Sequence, residues 1–453
     1  MRTIVLFLTY YTCAAYSLIN PTFGLLFFCH ITIFRPESLV WNSIAFGRLH
    51  LITSVCVLLG YLFKRNSGDG HLVNTYQKAN LRIFFLFVLW LIIVSIFAEY
   101  SVQLSLDKAI DVAKIFGFCF LFSRLITTER KIEAYVWVTS VSFGVLSFWG
   151  FLQGLQGNVR LDTLWPGGSN YIAAQLALMG PFTCARIFDS RLAYRSRIVF
   201  LACSLCIILC SIFTDSRGGF FGLAIGMLVM VGKLKSRLKV VAGLAMIAVL
   251  AYPWIPVNYQ GRIASIFAAE ESRDESANSR PVLWNIALRM WGNHPIAGVG
   301  LKNFSIVKER DRGQFLDLIE SDEMYNLIFD QQRDPHGLYT GMMAETGIVG
   351  ATLFLILLLR NVFWHRASLD AQSEKYSNIH LQLKGAQAGL IGFAVAAIFG
   401  DFQYIEMLYL QVFFIGAARG YLESLETIDA GNLAECNVMS RGVPRPVTIN
   451  TSL

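Results

Sequence analysis

Apolar blocks of membrane-crossing length recur along almost the whole chain, separated by short polar loops. They fall at 3–18, 22–35, 47–63, 81–98, 108–124, 133–154, 170–187, 197–213, 218–233, 238–255, 339–363, 384–400 and 403–422. A helix needs about 20 apolar residues to cross the ~30 Å hydrocarbon layer. The blocks are too long and too uniformly apolar for barrel strands, which alternate. The pattern predicts an all-α, polytopic transmembrane helical bundle of 12 or 13 spans. The first two blocks are short, and their number decides on which side the N-terminus lies. The opening stretch MRTIVLFLTYYTCAAYSL lacks a small-x-small cleavage site and reads as the first span rather than a signal peptide.

One long polar interruption breaks this rhythm, at 255–338. It holds 12 of the 31 acidic residues and 9 of the 38 basic ones, so it is net acidic. Within it, RPVLWNIALRMWGNHP puts Val282, Leu283, Ile286, Ala287 and Met290 on one face of a helix. Gly298 and Gly300 then mark a turn, and 315–332 reads as a second, acidic amphipathic helix. The expected organisation is N-terminal spans over 1–128, central spans over 129–254, the polar loop 255–338, C-terminal spans over 339–423 and a disordered cytoplasmic tail over 424–453.

Charge fixes the orientation. Only 15% of residues are charged, against about 25% in soluble domains. The basic residues cluster in the loops around Arg124, Arg130 and Lys131, around Arg186 to Arg197, around Lys233 to Lys239, and around Arg360 to Arg366. With alternating spans these loops share one side, which the positive-inside rule makes cytoplasmic. The opposite side receives 99–107, 155–169, Thr214 to Arg217, the loop 255–338 and the turn at Asp401. The net charge of +7 therefore reflects topology and gives no reason to expect a nucleic-acid partner. The nine cysteines lie almost all in apolar blocks. Cys203 and Cys206, although spaced as CxxC, read as small packing residues.

Four polar constellations collect at the outer edge. In TDSRGGFFG, Thr214, Asp215 or Ser216 can cap a helix whose first turn carries Arg217. A helix N-terminus together with a guanidinium suits phosphate oxygens; the plainer account is an interfacial arginine snorkelling to headgroups. In the second, Ser279 is a candidate cap that places Arg280 and Pro281 in a first turn. A cation there works against the helix dipole, which points to an anionic partner; the plainer account is an exposed loop arginine. Trp284, Trp291 and Pro295 read as packing residues. In DPHGLYTGMMAETGIVG, His336 is the side chain best able to take a proton near neutral pH, or simply an interfacial histidine. Glu345 lies inside the following apolar run, where an ionisable residue is a functional candidate or the partner of an arginine on a neighbouring helix. Last, Arg160 and Asn170 share the outer face, with Asn170 placed to cap the next span. There is no HExxH, cysteine cluster, P-loop or GxSxG, so no metal or cofactor is expected. Arginines with a base suit a substrate that already carries a diphosphate leaving group.

TDSRGG at 214–219, SRPVLWNIALRMWGNHPIAGVGLKNF at 279–304 and DPHGLYTGMMAETGIVG at 334–350, in this order around a large outer loop, resemble the O-antigen ligase and O-antigen polymerase family of bacterial inner-membrane proteins. The resemblance covers roughly 130–425. The segment INPTFGLLFFCHITIFRPESLVW at 19–41 looks more specifically like exosortase-A-associated O-glycosylation ligases.

The resemblance implies a multi-pass protein of the bacterial inner membrane with its active site facing the periplasm. It would take a glycan from an undecaprenyl-diphosphate carrier and join it to an acceptor hydroxyl on a glycolipid such as lipid A core, on another glycan or on a protein. Membrane lipids are its surroundings. The family's arginines match Arg217 and Arg280, and its histidine matches His336. Arg160, Asn170 and Glu345 are the candidate substrate-binding residues. Two departures concern the acceptor side: Gly337 follows the histidine where the family often has asparagine, and GGSN ending at Asn170 replaces an NPN-like turn. A polymerase on the same scaffold is the alternative. A transporter or flippase ranks below both, because the ionisable residues gather at the outer edge rather than in paired broken helices at mid-membrane.

Overall fold

The computed structural model describes residues 2–35, 49–65, 73–156, 168–232, 275–319, 321–329, 334–363 and 377–440. These residues are overwhelmingly helical, with no strand among them. The helices are α1 (Arg2–Tyr16), α2 (Pro21–Phe34), α3 (Leu49–Arg65), α4 (Thr75–Ile96), α5 (Val102–Leu125), α6 (Glu129–Leu155), α7 (Gly168–Ala185), α8 (Tyr194–Phe213), α9 (Arg217–Gly232), α10 (Glu275–Asn293), α11 (Phe304–Arg310), α12 (Asp322–Phe329), α13 (Leu338–Phe363), α14 (Ser377–Ala396) and α15 (Glu406–Ser440). Among the described residues, six helices are long and apolar enough to cross a membrane: those over 75–96, 129–155, 168–188, 194–213, 338–363 and 378–399. Four shorter apolar helices, α1, α2, α3 and α9, accompany them. The protein is thus an all-α polytopic membrane protein. The expected span 238–255 lies outside the described residues.

Asparagine and serine caps start the helices where the sequence turns apolar. Asn20 Oδ1 accepts from Phe23 N at 3.1 Å, with Pro21 opening α2. Asn74 Oδ1 accepts from Gln77 N at 2.8 Å at the start of α4. Each satisfies an N–H group that the helix itself leaves unpaired.

Helix α7 is the most deeply buried of the spanning helices and packs between α9 and α14. Small residues allow this. A Cβ on Gly219 would stand 2.3 Å from Ala173 Cβ, and one on Gly222 only 2.4 Å from the carbonyl oxygen of Gly392. Bilayer helices gain contact by such close approach of backbones, since lipid tails compete for apolar side chains. Helices α4 and α8 instead leave large apolar residues exposed, among them Phe85, Leu86, Leu89, Ile198 and Leu201, the arrangement expected of a lipid-facing surface.

The two ends of the bundle differ. At one end Arg186 is buried between Asp189 at 2.8 Å and Glu133 at 2.7 Å. At this same end Glu129 accepts from Asn378 and Tyr421. At the other end the described part of the polar interruption folds over the helices. Its core joins Leu283, Ile286, Ala287 and Met290 of α10 to Val299, Phe304, Val307, Phe315, Ile328 and Phe329, and reaches Ala344 of α13. The buried Lys308 donates to the Ile328 carbonyl oxygen at 2.6 Å.

Three local expectations are corrected. Helix α10 begins at Glu275, so Ser279 does not cap it and Arg280 lies beyond its first turn. Pro281 is accommodated inside the helix, and the dipole argument for Arg280 no longer applies. The stretch 315–332 is not one helix: a 3₁₀ turn at Leu316–Leu318 precedes α12, because Ser321 caps a new start by accepting from Met324 N at 3.2 Å. Helix α15 continues to Ser440, so 424–440 is helical where the composition suggests disorder.

Candidate active site

The second and third motifs dock backbone to backbone. Gly347, at φ 64° and ψ −172°, interrupts the helical path of α13. The break frees carbonyl groups that helix geometry would otherwise occupy. The AGVG turn takes them: Val299 N donates to Ala344 O at 2.8 Å and Gly300 N to Glu345 O at 3.0 Å. Ile348 N returns a bond to Pro295 O at 2.9 Å, and Trp90 Nε1 donates to Thr346 O at 2.9 Å. A Cβ on Gly347 would lie 2.0 Å from Ile296 O, so only glycine fits this contact.

The loop after α4 is stitched to the same turn. Asn303, fully buried, accepts from Ser101 N at 2.8 Å and donates to Ser101 O at 3.2 Å. Glu99 N donates to Val299 O at 3.1 Å.

The first motif reaches this assembly through Phe399, in the 3₁₀ turn Ala397–Phe399 that follows α14. Ser216 caps α9 by accepting from Gly219 N at 3.2 Å, which leaves Arg217 at the first helical position. The adjacent Gly218 lies against Phe399, whose side chain would be 2.8 Å from a Cβ there. The guanidinium of Arg280 sits over the Phe399 ring, 5.8 Å from its centroid. Trp284, one helical turn beyond Arg280, faces the same ring with centroids 6.5 Å apart. Its indole N–H donates to the carbonyl oxygen of His336 at 3.3 Å. Phe399 and Trp284 therefore form an aromatic pair about which the elements bearing Arg217, Arg280 and His336 meet. All three residues are half-buried.

Three of the four non-glycine residues with positive φ among the described residues belong to this region: Asp215 at 57°, Lys302 at 58° and His336 at 50°. Side chains with a Cβ avoid this conformation, and strain of this kind persists where surrounding structure enforces it.

Sequence reasoning passed over a charged cluster beside His336. Lys302 Nζ pairs with Asp334 Oδ2 at 2.8 Å and lies over Tyr404, 5.8 Å from the ring centroid. Ser305 Oγ donates to Asp334 Oδ1 at 3.3 Å. Glu345, Asp334 and Asp401 all act electrostatically on Lys302. Burial opposes the charge on Lys302, but the carboxylates of Glu345 and Asp334 outweigh it and raise its pKa. Burial pushes Asp401 up to about 7, reinforced by Asp334 and opposed by Lys302 and by the N–H groups of His336 and Gly337. The signal in the sequence was Asp401 itself, an ionisable residue in a short turn between two apolar blocks.

Of the remaining candidates, Glu345 is buried with Lys302 as its cationic neighbour, rather than an arginine on a neighbouring helix. Asn170 sits inside the first turn of α7, which begins at Gly168, so it is not the cap. Its neighbour Tyr171 meets Phe402, with ring centroids 6.2 Å apart. Arg160 lies outside the described residues. Among the described residues, no group of three or more His, Cys, Asp or Glu side chains is arranged to hold a metal ion.

Fold and site together define the class: a polytopic helical membrane protein whose extramembrane segment closes over one end of the bundle and gathers its polar motifs there. Residues 201–355, which include all three of those motifs, match the O-antigen ligase family model. This match, with the membrane-length helices, supports a membrane protein of the glycan ligase and polymerase type. Residues 1–158 match a family of unknown function (DUF5935). No curated protein matches the chain.

Proposed function

We propose that the protein transfers a glycan from an undecaprenyl-diphosphate carrier to an acceptor hydroxyl at the periplasmic face of the bacterial inner membrane, without a metal. The observation that carries this reading is the meeting of the Arg217, Arg280 and His336 elements about Phe399 and Trp284 at the end of the bundle. Arg217 and Arg280 hold the diphosphate and stabilise the negative charge that grows on it as it leaves. His336 accepts the proton of the acceptor hydroxyl. The acceptor oxygen forms the new bond to the anomeric carbon, the bond to the diphosphate breaks, and the lipid diphosphate departs, inverting the configuration at that carbon. Arg160, Asn170 and Glu345 are assigned to donor positioning. The acceptor is a glycolipid, a growing glycan or a protein, the last in keeping with the likeness of 19–41 to O-glycosylation ligases.

The test is transfer by the purified chain in lipid nanodiscs, with an undecaprenyl-diphosphate-linked glycan and each acceptor class in turn. His336→Ala is expected to lower transfer by about 10²–10⁴-fold; wild-type transfer would remove the base assignment. A ladder of chain lengths identifies a polymerase, and a single attached glycan a ligase.

A further inference from the structure

We infer that Lys302, Asp334 and Asp401 are positioning residues that hold His336 in its left-handed backbone conformation and so aim its ring. This rests on the reading of His336 as the base. Three observations converge on the residue. Lys302 Nζ grips Asp334, two positions before it, at 2.8 Å. The Asp401 carboxylate lies near enough to the N–H groups of His336 and Gly337 for them to act on it electrostatically, and both of its oxygens are buried with no hydrogen bond made among the described residues. Trp284 holds the His336 carbonyl from the other side. Together these fix the chain before, at and after a residue whose φ of 50° is unfavourable without support.

The charged members of the cluster come from three stretches of chain: Lys302 from the turn before α11, Asp334 and Glu345 from the segment that leads into α13, and Asp401 from the turn between α14 and α15. Lys108 of α5 approaches it over Tyr404, 5.4 Å from the ring centroid. A structural lock between these segments needs only one ion pair. Here two carboxylates beyond the paired Asp334 surround a single lysine, and one of them lies near the backbone of the proposed base. Lys302 is itself left-handed, at φ 58°, so the geometry is specified at both ends of the pair.

The experiment uses the full chain in nanodiscs, with variants Lys302→Met, Lys302→Arg, Asp334→Asn, Asp401→Asn and the double variant Lys302→Met/Asp334→Asn. The first readout is the rate at which diethyl pyrocarbonate modifies His336, followed by mass spectrometry and referenced to the exposed His294. Loosening the loop is expected to change that rate about fivefold or more in the Met and Asn variants and to leave it near wild type in Lys302→Arg. The second readout is transfer from an undecaprenyl-diphosphate-linked glycan, where kcat falls and KM for the donor stays within about twofold. In the double variant the thermal midpoint is expected to recover in part, because the Lys302–Asp334 ion pair is removed as a unit, while kcat stays low. Recovery of kcat together with the midpoint would make the cluster a structural ion pair only. Unchanged modification rates in folded variants would also overturn the inference. If His336→Ala transfers normally, the base assignment fails, yet the modification rates still decide whether the cluster positions the loop.

Discussion

Trp284 donates its indole N–H to the carbonyl oxygen of His336 at 3.3 Å while its ring faces Phe399. One side chain thus ties the helix that carries Arg280 to the turn that carries the histidine, against the aromatic ring under Arg280. Trp284→Phe keeps the ring and removes the donor. A lost hydrogen bond of this kind costs about 1 kcal/mol. The expected result is a severalfold fall in transfer rate with a thermal midpoint close to wild type, measured on the same nanodisc preparation.

Gly347 tests how the second and third motifs join. Gly347→Ala combines a disfavoured φ of 64° with a Cβ 2.0 Å from Ile296 O. The docked AGVG turn has no room to retreat without losing its bonds to Ala344 and Glu345. Little folded protein is expected on gel filtration. Gly292→Ala, where a Cβ meets nothing within 4 Å, is the control. It lies near the end of α10 and is expected to hold or slightly raise stability, since alanine is up to about 1 kcal/mol better than glycine in a helix.

Asp401 predicts a pH dependence. Its pKa rises from the ordinary aspartate value of 3.8 to about 7 in the fold, so the folded state holds a proton that the unfolded chain has released. Its contribution favours folding most below pH 4. It is lost as pH rises towards 7 and is gone above that. Asp401→Asn removes this dependence. The variant is expected to be more stable relative to wild type at pH 8 than at pH 5, by an amount on the order of a few kcal/mol, read from midpoints of thermal unfolding at the two pH values.

Arg186 lies at the opposite end of the bundle. It is buried with Asp189 and Glu133 as its partners. Arg186→Ala leaves the buried Asp189 uncompensated, a loss of about 3–5 kcal/mol for a broken buried pair. The midpoint should fall sharply. In whatever fraction stays folded, KM for the donor should remain that of the wild type, because the change is far from Phe399.

The sequence by itself determined the class and the three motifs. Runs of apolar residues of membrane length leave the backbone no choice but helix, since lipid offers no hydrogen-bonding partner. The apolar face of α10 was equally plain, because Leu283, Ile286, Ala287 and Met290 recur at helical spacing and all become buried. Arg217, Arg280 and His336 stood out as polar residues at the edges of such runs. What only the tertiary structure decided is how they meet. No periodicity announces that Gly218 will rest on Phe399, or that the AGVG turn will donate to the carbonyl groups freed at Gly347. Nor did spacing reveal the cluster beside the histidine. Lys302, Asp334, Glu345 and Asp401 come from three separate stretches of chain, and apart from Glu345 each alone looks like an ordinary loop or interfacial charge. Their interaction exists only where burial removes water and makes each charge answer to the others.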